Sequence, residues 1–341
     1  MASGAASLRV GAMRTAHLGS FGYGNLGDEL CLIEAMRAFP SAEPFAFSED
    51  PDWTMRCVPG LAGTFFEFAG MFARQPRRVV VGGGAVGTRV YFRHILPHLA
   101  RAQVELGTVC HVHNIGVARM GRAAEWLPDR GQEAISRMAS FTVRDPRSAE
   151  LVMEWDLGVL PGLTSYPESS LPADPTLAEA LLPKGRPLLG VSVTSGARIW
   201  RCLEHGAERV RALLARFPDH ALVPVVSTIH RLSPEEQDHE GFRRFHASFC
   251  PERPVVAPEL ADPAFWRAEM TPLRLKGVIA RLDALISQRK HNCIHAIGAG
   301  VPVIGLQVAR DDSLRRTFGA LAKRLAPGSA CLGLPDPPEP G

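Results

Sequence analysis

The sequence has no CxxC motif and no long apolar run. Its seven cysteines are scattered between positions 31 and 331, a spacing that excludes a disulfide framework or a zinc knuckle and is typical of a reducing compartment. No window approaches the ~18 uninterrupted apolar residues of a membrane span. Residues 1–17 also lack the apolar stretch of a signal peptide. We therefore expect a soluble, cytoplasmic protein.

Neither sign of charge dominates the chain. Lys and Arg number 38 against 35 Asp and Glu, and the net charge of +3 gives no general attraction to nucleic acid. Of the 341 residues, 46% are apolar and 21% are charged, which excludes a disordered or fibrous chain. At ~100–200 residues per domain, this length predicts about two domains.

Short apolar runs alternate with helical patterns, which predicts an α/β protein with parallel sheets. A Pro- and Ser-rich stretch interrupts this alternation, which then restarts. We predict two doubly wound, Rossmann-like domains of the GT-B-like kind, with a ligand-binding cleft between them. The expected segments are an N-terminal domain at 1–165, a linker at 166–186, a C-terminal domain at 187–330 and a disordered tail at 331–341.

A glycine loop, GYGNLG at 22–27, matches the G-x-G-x-x-G pattern of dinucleotide-binding enzymes and lies between a predicted strand (14–21) and a predicted helix (28–39). Asp28 and Glu29 follow it directly, and two carboxylates would repel a pyrophosphate there. These acids can instead stabilise the helix N-terminus. The alternative is that Asn25, Asp28 and Glu29 bind the hydroxyls of a sugar acceptor, since amide and carboxylate groups suit that role.

A second glycine loop follows the predicted strand at 77–84. Gly83 and Gly84 let bare backbone approach a ligand, and N–H groups there can bind phosphate or carboxylate. The alternative is a tight turn that packs a helix closely against the strand. His111 and His113 share one face of another predicted strand, but no third ligand is evident, so we expect no metal.

The sequence QRKH at 288–291 precedes a predicted helix at 291–300. Cations are unfavourable at the start of a helix unless they are exposed or bind an anion. We interpret Arg289 as a ligand for carboxylate or phosphate and His291 as an acid–base group. Arg144 is a second candidate ligand, or else half of a surface ion pair with Asp145.

A stretch rich in Phe and Arg at 61–78 has a predicted helix near 61–73. It is either a core helix or an apolar face beside cations that rests on an anionic membrane.

Four segments, in order, resemble the polysaccharide pyruvyl transferase family. Residues 22–29 are similar to its G-N-x-G-D-E signature, and residues 82–84 are similar to its second glycine loop. Residues 143–150 resemble its V-R-D-x-x-S-A-E segment, and residues 289–302 resemble its R-L-H motif with the following G-V-P. The similarity spans roughly residues 15–310.

The resemblance implies transfer of the enolpyruvyl group of phosphoenolpyruvate to two sugar hydroxyls, which gives a pyruvate ketal for cell-surface polysaccharide. It implies that Arg144, Arg289 and His291 act on the donor. We therefore expect His291 and Asp28 to be catalytic. Lys290 and the second glycine loop, with Gly83 and Gly84, are expected to aid donor binding. No cofactor besides this donor substrate is expected. The expected acceptor is a saccharide on a lipid carrier, which would place the protein at the inner face of the membrane.

Three departures from the family leave alternatives open. Lys290 replaces the leucine of R-L-H, the position of a donor-binding lysine falls on Asp311, and an Asp-Pro pair is missing near Gly162. Arg310, Arg315 or Lys290 would have to compensate for the lysine. The alternatives are a nucleotide-sugar glycosyltransferase of the same fold, a catalytically inactive sugar- or anion-binding relative, and a dehydrogenase.

Overall fold

The computed structural model describes residues 13–83, 86–118, 120–308 and 312–336. They divide into two compact units. The first consists of residues 13–22 and 31–164, and the second of Tyr23–Leu30 and residues 165–336. Gly84, Arg310 and Asp311, which the sequence singled out, lie outside the described residues.

The first unit is built on a seven-stranded parallel sheet in the order β3-β2-β1-β4-β5-β6-β7. After β3 the chain returns to the far side of β1, which is the doubly wound arrangement. The strands are β1 (Arg14–Leu18), β2 (Glu43–Phe47), β3 (Gly63–Phe65), β4 (Arg78–Gly82), β5 (Val109–Ile115), β6 (Ser140–Val143) and β7 (Gly162–Leu163).

Side-chain caps start several helices associated with this sheet. Asp50, Thr88 and Asp145 each accept a hydrogen bond from a backbone N–H three residues further on, which satisfies a helix N-terminus. Trp155 lies at the centre of the core. The helices are α1 (Leu26–Ala38), α2 (Pro51–Cys57), α3 (Phe68–Ala73), α4 (Arg89–Glu105), α5 (Asp129–Ser136) and α6 (Pro146–Met153).

The second unit has a five-stranded parallel sheet in the order β12-β11-β10-β8-β9. Its strands are β8 (Leu188–Ser192), β9 (Ala221–Pro224), β10 (Ala284–Ser287), β11 (Val303–Val308) and β12 (Ala330–Leu334). Its helices are α7 (Thr176–Leu181), α8 (Ala197–His205), α9 (Ala207–Leu214), α10 (Asp238–Phe249), α11 (Pro263–Glu269), α12 (Pro272–Ala280), α13 (Lys290–Ala299) and α14 (Ser313–Ala320).

The predicted fold class, two Rossmann-like units of the GT-B-like kind, is confirmed. The structure differs from the sequence prediction at three segments. Residues 166–186 form part of the second unit, since α7 packs on α12. Residues 331–334 of the predicted tail belong to strand β12 (Ala330–Leu334), because their backbone pairs with β11. Residues 61–73 form β3 and a short α3 instead of one helix.

The apolar stretch considered for membrane contact contributes to the core. Phe65 and Met71 are buried in the core of the first unit, whereas Phe66 is 56% exposed. In the described ranges, no helix has both the length and the apolar character needed to cross a bilayer.

Gly277 in α12 fixes residues 166–186 to the second unit. A Cβ atom there would lie 1.9 Å from the backbone oxygen of Asp174. Such a contact forces backbone to move, and overpacking of this kind typically costs about 1–3 kcal/mol.

Replacing Gly277 by Ala should therefore lower the free energy of unfolding by about that amount. The matched control is Gly319→Ala in α14, where no atom lies within 4 Å of the added Cβ. There the better helix propensity of Ala should leave stability unchanged or raise it by up to ~1 kcal/mol. Urea unfolding measures both, and equal stability of the two variants would contradict the tight packing of α12.

Candidate active site

The glycine-loop segment Tyr23–Leu30 groups with the second unit, although the sequence placed it in the N-terminal domain. It pairs with the chain just beyond β9. The backbone N–H of Leu26 donates to the Ser227 oxygen at 2.9 Å, and the N–H of Ile229 donates to the Gly24 oxygen at 3.0 Å. Asn25 and Thr228 form an antiparallel bridge between these bonds. The motif is thus held to the second unit by a short antiparallel bridge.

The second and third glycines of this loop are needed because protein atoms occupy the space of their side chains. At Gly24, which has φ +84°, a Cβ would lie 2.2 Å from the Ile229 oxygen. At Gly27 it would lie 2.1 Å from Nδ1 of His291. The G-x-G-x-x-G pattern therefore reflects packing of protein on protein. This removes the main sequence argument for a dinucleotide, and it places the His291 ring directly on the loop.

Asn25 and Asp28 bind each other. The amide nitrogen of Asn25 donates to Oδ2 of Asp28 at 2.9 Å, and its Oδ1 accepts from the N–H of Gly27 at 3.0 Å. Asp28 is 6% exposed and Glu29 has no exposed surface. Both carboxylates are therefore buried, and the assignment of Asn25, Asp28 and Glu29 to a sugar acceptor stays a prediction. These groups shape the loop and the first turn of α1.

Arg289 lies immediately before α13 and is bound on three sides by protein. Its Nε donates to Oδ1 of Asp238 at 2.7 Å, its Nη1 to Oε2 of Glu236 at 3.0 Å, and its Nη2 to Oγ1 of Thr194 at 3.2 Å. Two carboxylates already balance its charge. Arg289 thus has a structural role within the protein, and its assignment as a ligand of the donor anion stays a prediction.

Asp238 connects Arg289 to the segment that pairs with the glycine loop. It is fully buried, and its Oδ2 accepts from the Ser227 N–H, the Ser227 hydroxyl and the Thr228 N–H at 2.9–3.1 Å. Burial raises the pKa of Asp238, while the charge of Arg289 and the hydrogen bonds oppose that rise. Because Ser227 and Thr228 pair with the glycine loop, the ion pair holds the segment on which the loop lies. No sequence signal linked Asp238 to the motif.

His291 and Lys290 occupy the first turn of α13, and both are half-buried. Asn292, on the next position, is fully buried and donates to the hydroxyls of Ser192 and Ser227 at 2.7 and 3.1 Å. This anchors the helix start to the carboxyl end of β8. The half-buried imidazole and ammonium thus lie at a helix N-terminus, where the backbone dipole favours an anion.

In the first unit, Arg144 follows β6 and is 1% exposed. A Cβ on Gly116 would lie 3.1 Å from its Nε, so Gly116 leaves room for the guanidinium. Gly83, at the end of β4, has φ +84°, as a tight glycine turn requires. The assignment of Arg144 and Gly83 to the donor stays a prediction.

The two histidines of β5 have protein partners. Nε2 of His113 lies 2.8 Å from Oε2 of Glu34, and Nδ1 of His111 lies 2.8 Å from the Ser140 hydroxyl. Glu34 was not singled out from the sequence, although it lies on α1 two turns beyond the glycine-loop motif.

The solved structures that share the overall fold with this chain include two epimerases. UDP-N-acetylglucosamine 2-epimerase from Neisseria meningitidis has 10% identity, with 90% of this chain and 85% of that chain covered at a TM-score of 0.52. The enzyme from Methanocaldococcus jannaschii has 10% identity, with 94% and 89% covered at a TM-score of 0.51. At such identity the likeness shows the fold alone. Comparison with functionally curated proteins gives no match.

The family is shown by the sequence itself. The family model described as "Polysaccharide pyruvyl transferase" matches residues 25–309, which is most of the chain. This chain therefore belongs to the polysaccharide pyruvyl transferase family. The match begins at Asn25 in the glycine loop and includes Asp238, Arg289 and His291.

Removing the guanidinium of Arg289 should destabilise the protein strongly. Arg289→Met leaves the buried Asp238 carboxylate without its cation, and breaking a buried pair in this way typically costs about 3–5 kcal/mol. The control Glu236→Gln removes the partner that is 40% exposed and should cost less than about 1 kcal/mol. Urea unfolding measures both free energies. Similar small losses for the two variants would contradict a structural role for Arg289.

Proposed function

We propose that the protein transfers the pyruvyl unit of phosphoenolpyruvate to two hydroxyls of a saccharide and forms a cyclic pyruvate ketal and phosphate. One observation supports this most strongly: in a chain that belongs to this family, the imidazole of His291 lies at the start of α13 and packs on Gly27 of the signature loop. The candidate proton donor, His291, therefore lies at a helix N-terminus that favours the binding of an anion.

In this proposal the donor's phosphate or carboxylate binds at the N-terminus of α13, with Lys290 as the cation beside it. Arg289 acts indirectly, because its three nitrogens bind protein oxygens and keep the segment under the loop in place. Lys290 stands where the family has leucine. It supplies a positive charge near the donor without a contribution from Arg289.

The chemistry needs one acid that becomes a base. Protonated His291 gives a proton to the methylene carbon of the donor, which leaves an oxocarbenium-like centre at C2. A sugar hydroxyl attacks C2 and returns a proton to neutral His291. A second hydroxyl then attacks, the bond from C2 to the phosphate oxygen breaks, and phosphate leaves with the second hydroxyl proton. The buried Asp28, bound to Asn25, fixes the loop and is not required as a base.

Replacing His291 by Asn should reduce phosphate release by about 10²–10⁴-fold, the usual contribution of general acid–base catalysis. The assay measures phosphate released from phosphoenolpyruvate with a panel of hexosides that carry neighbouring free hydroxyls. His205→Asn, at an exposed position in the last turn of α8, is the matched control and should keep full activity. An active His291→Asn protein would remove this residue from the chemistry.

Phosphoenolpyruvate should raise the melting temperature of the wild-type protein, because a ligand that binds only the folded state stabilises it. Thermal melts with phosphoenolpyruvate, UDP and NAD, each at the same concentration, compare the proposal with a nucleotide-sugar enzyme and with a dehydrogenase. Stabilisation by UDP or NAD without stabilisation by phosphoenolpyruvate would overturn the proposed donor.

A further inference from the structure

A short 3₁₀ turn, Pro167–Ser170, packs against α13, the helix that carries His291. The contact is close: a Cβ on Gly298 of α13 would lie 2.3 Å from the Ser169 oxygen. Glycine at this position therefore lets the turn lie directly on the helix backbone. The sequence predicts a linker here, and the proposed chemistry does not involve this turn.

Two cations, buried Lys276 and exposed Arg324, hold the same turn in place. Nζ of Lys276, on α12, donates to the backbone oxygens of Glu168 and Ser169 at 3.2 and 3.0 Å. The guanidinium of Arg324 donates to the hydroxyls of Ser169 and Ser170 at 2.8 and 3.0 Å. Lys276 is 4% exposed, so its burial needs compensating oxygens. The turn is thus held from two further elements.

The backbone entering the turn is strained. Ser165 and Tyr166 have φ values of +54° and +58°, a left-handed conformation that side chains other than Gly adopt at a cost. The Tyr166 hydroxyl lies 3.0 Å from the hydroxyl of Thr317 on α14, and this contact keeps the strained residue in place. Strain of this kind persists only where the surrounding structure requires one conformation, and it is concentrated at functional sites.

Together, these contacts hold Glu168 in one position beside α13. Its side chain has no exposed surface, and one of its carboxylate oxygens lies within 4.8 Å of a ring nitrogen of His291. We propose that Glu168 is a positioning residue for His291, whose carboxylate orients the imidazole and favours its protonated form. This inference rests on the proposed function only in taking that proton as the one that is transferred.

The pKa values of Lys276 and His295 show that the electrostatic environment changes within one turn of α13. Burial lowers the pKa of Lys276 to about 8, with Arg324 adding to the decrease and Glu168 opposing it. His295, one turn beyond His291, is 1% exposed, and burial together with the charge of Lys276 lowers its pKa to about 3. One imidazole of α13 therefore lies near a cation and stays neutral, whereas the other lies near a carboxylate.

Other charged groups lie on the elements packed against α13 and also influence the protonation of His291. On the glycine-loop segment, two acidic residues follow Gly27, which contacts His291. Cations predominate on the other elements: α12, α13, α14 and the turn after α14. Those on the described residues are Asp28, Glu29, Arg274, Lys276, Lys290, His295, Asp312, Arg315 and Arg316, with Lys323 and Arg324 on the turn after α14. The Glu168 carboxylate lies within 4.8 Å of a ring nitrogen of His291, so the test removes the charge of this residue.

The test is the titration of His291 in the full-length protein without donor, followed by NMR of ¹⁵N-labelled imidazoles. His291→Gln identifies the signal by its loss. The proposal requires that His291 in the wild-type protein titrate above the ordinary value of about 6.5. A value at or below 6.5 would overturn it, and this measurement does not depend on the folding of any Glu168 variant.

Glu168→Gln should lower the midpoint of the His291 titration by about one pH unit or more, since an opposite charge at ~4–6 Å shifts a pKa by about 1–3 units. Glu168→Asp keeps the charge and should restore most of the shift. Glu179→Gln, at an exposed position on α7, is the matched control and should change nothing. An identical titration in wild type and a folded Glu168→Gln would refute the proposal.

The pH profile of phosphate release provides a second measurement. Activity that needs the protonated imidazole should be lost at lower pH in Glu168→Gln than in the wild type, by the same interval as the NMR midpoint. A general loss at all pH values with no displacement would count against the proposal. If the NMR shift occurs but phosphoenolpyruvate is not consumed, the positioning role stands and the proposed function fails.

Discussion

The ion pair between Arg289 and Asp238 is the interaction on which the site depends. Asp238 is fully buried, and one of its oxygens accepts three hydrogen bonds from Ser227 and Thr228 while the other binds Arg289. That segment then pairs with the glycine loop through Asn25. A residue that the motif suggests as a substrate ligand is therefore first a support for backbone. The same guanidinium immediately precedes α13, so it fixes both the loop and the helix on which the loop packs.

Buried charge in the second unit is arranged in two different ways. At Arg289, two carboxylates and a hydroxyl surround one cation, and the group is saturated by protein. At the 3₁₀ turn, Lys276 binds the backbone oxygens of Glu168 and Ser169, and the Glu168 carboxylate lies within 4.8 Å of the His291 ring. A carboxylate near a half-buried imidazole can change the proton affinity of that imidazole, whereas a saturated ion pair cannot readily do so. The contrast separates a structural pair from a group suited to catalysis.

Much of the fold and the central residue of the site could be predicted from the sequence. Apolar periodicity located most strands, and the short motif around His291 together with the helix start after it gave the candidate acid. Glu168 and Asp238 were missed because they lie about 120 and 50 residues from His291 along the chain, and no local pattern connects them. Pro and Ser near 166–186 suggested a linker, but a buried turn and a helix can be equally rich in these residues when tertiary contacts hold them. The burial of Glu29 was also missed, because an acidic residue after a glycine loop looks the same in sequence whether it faces solvent or the core.

The grouping of Tyr23–Leu30 with the second unit makes that unit discontinuous in sequence. Its partner segment at 227–229 is synthesised about 200 residues later, so this pairing has a high sequence separation and is expected to form late in folding. An expression fragment beginning near residue 165 would lack the glycine-loop segment and would expose the unpaired backbone of Ser227 and Ile229. The signature loop is synthesised early but pairs with a segment that is synthesised late. His291 can reach its final packing only when the loop and the second unit have come together.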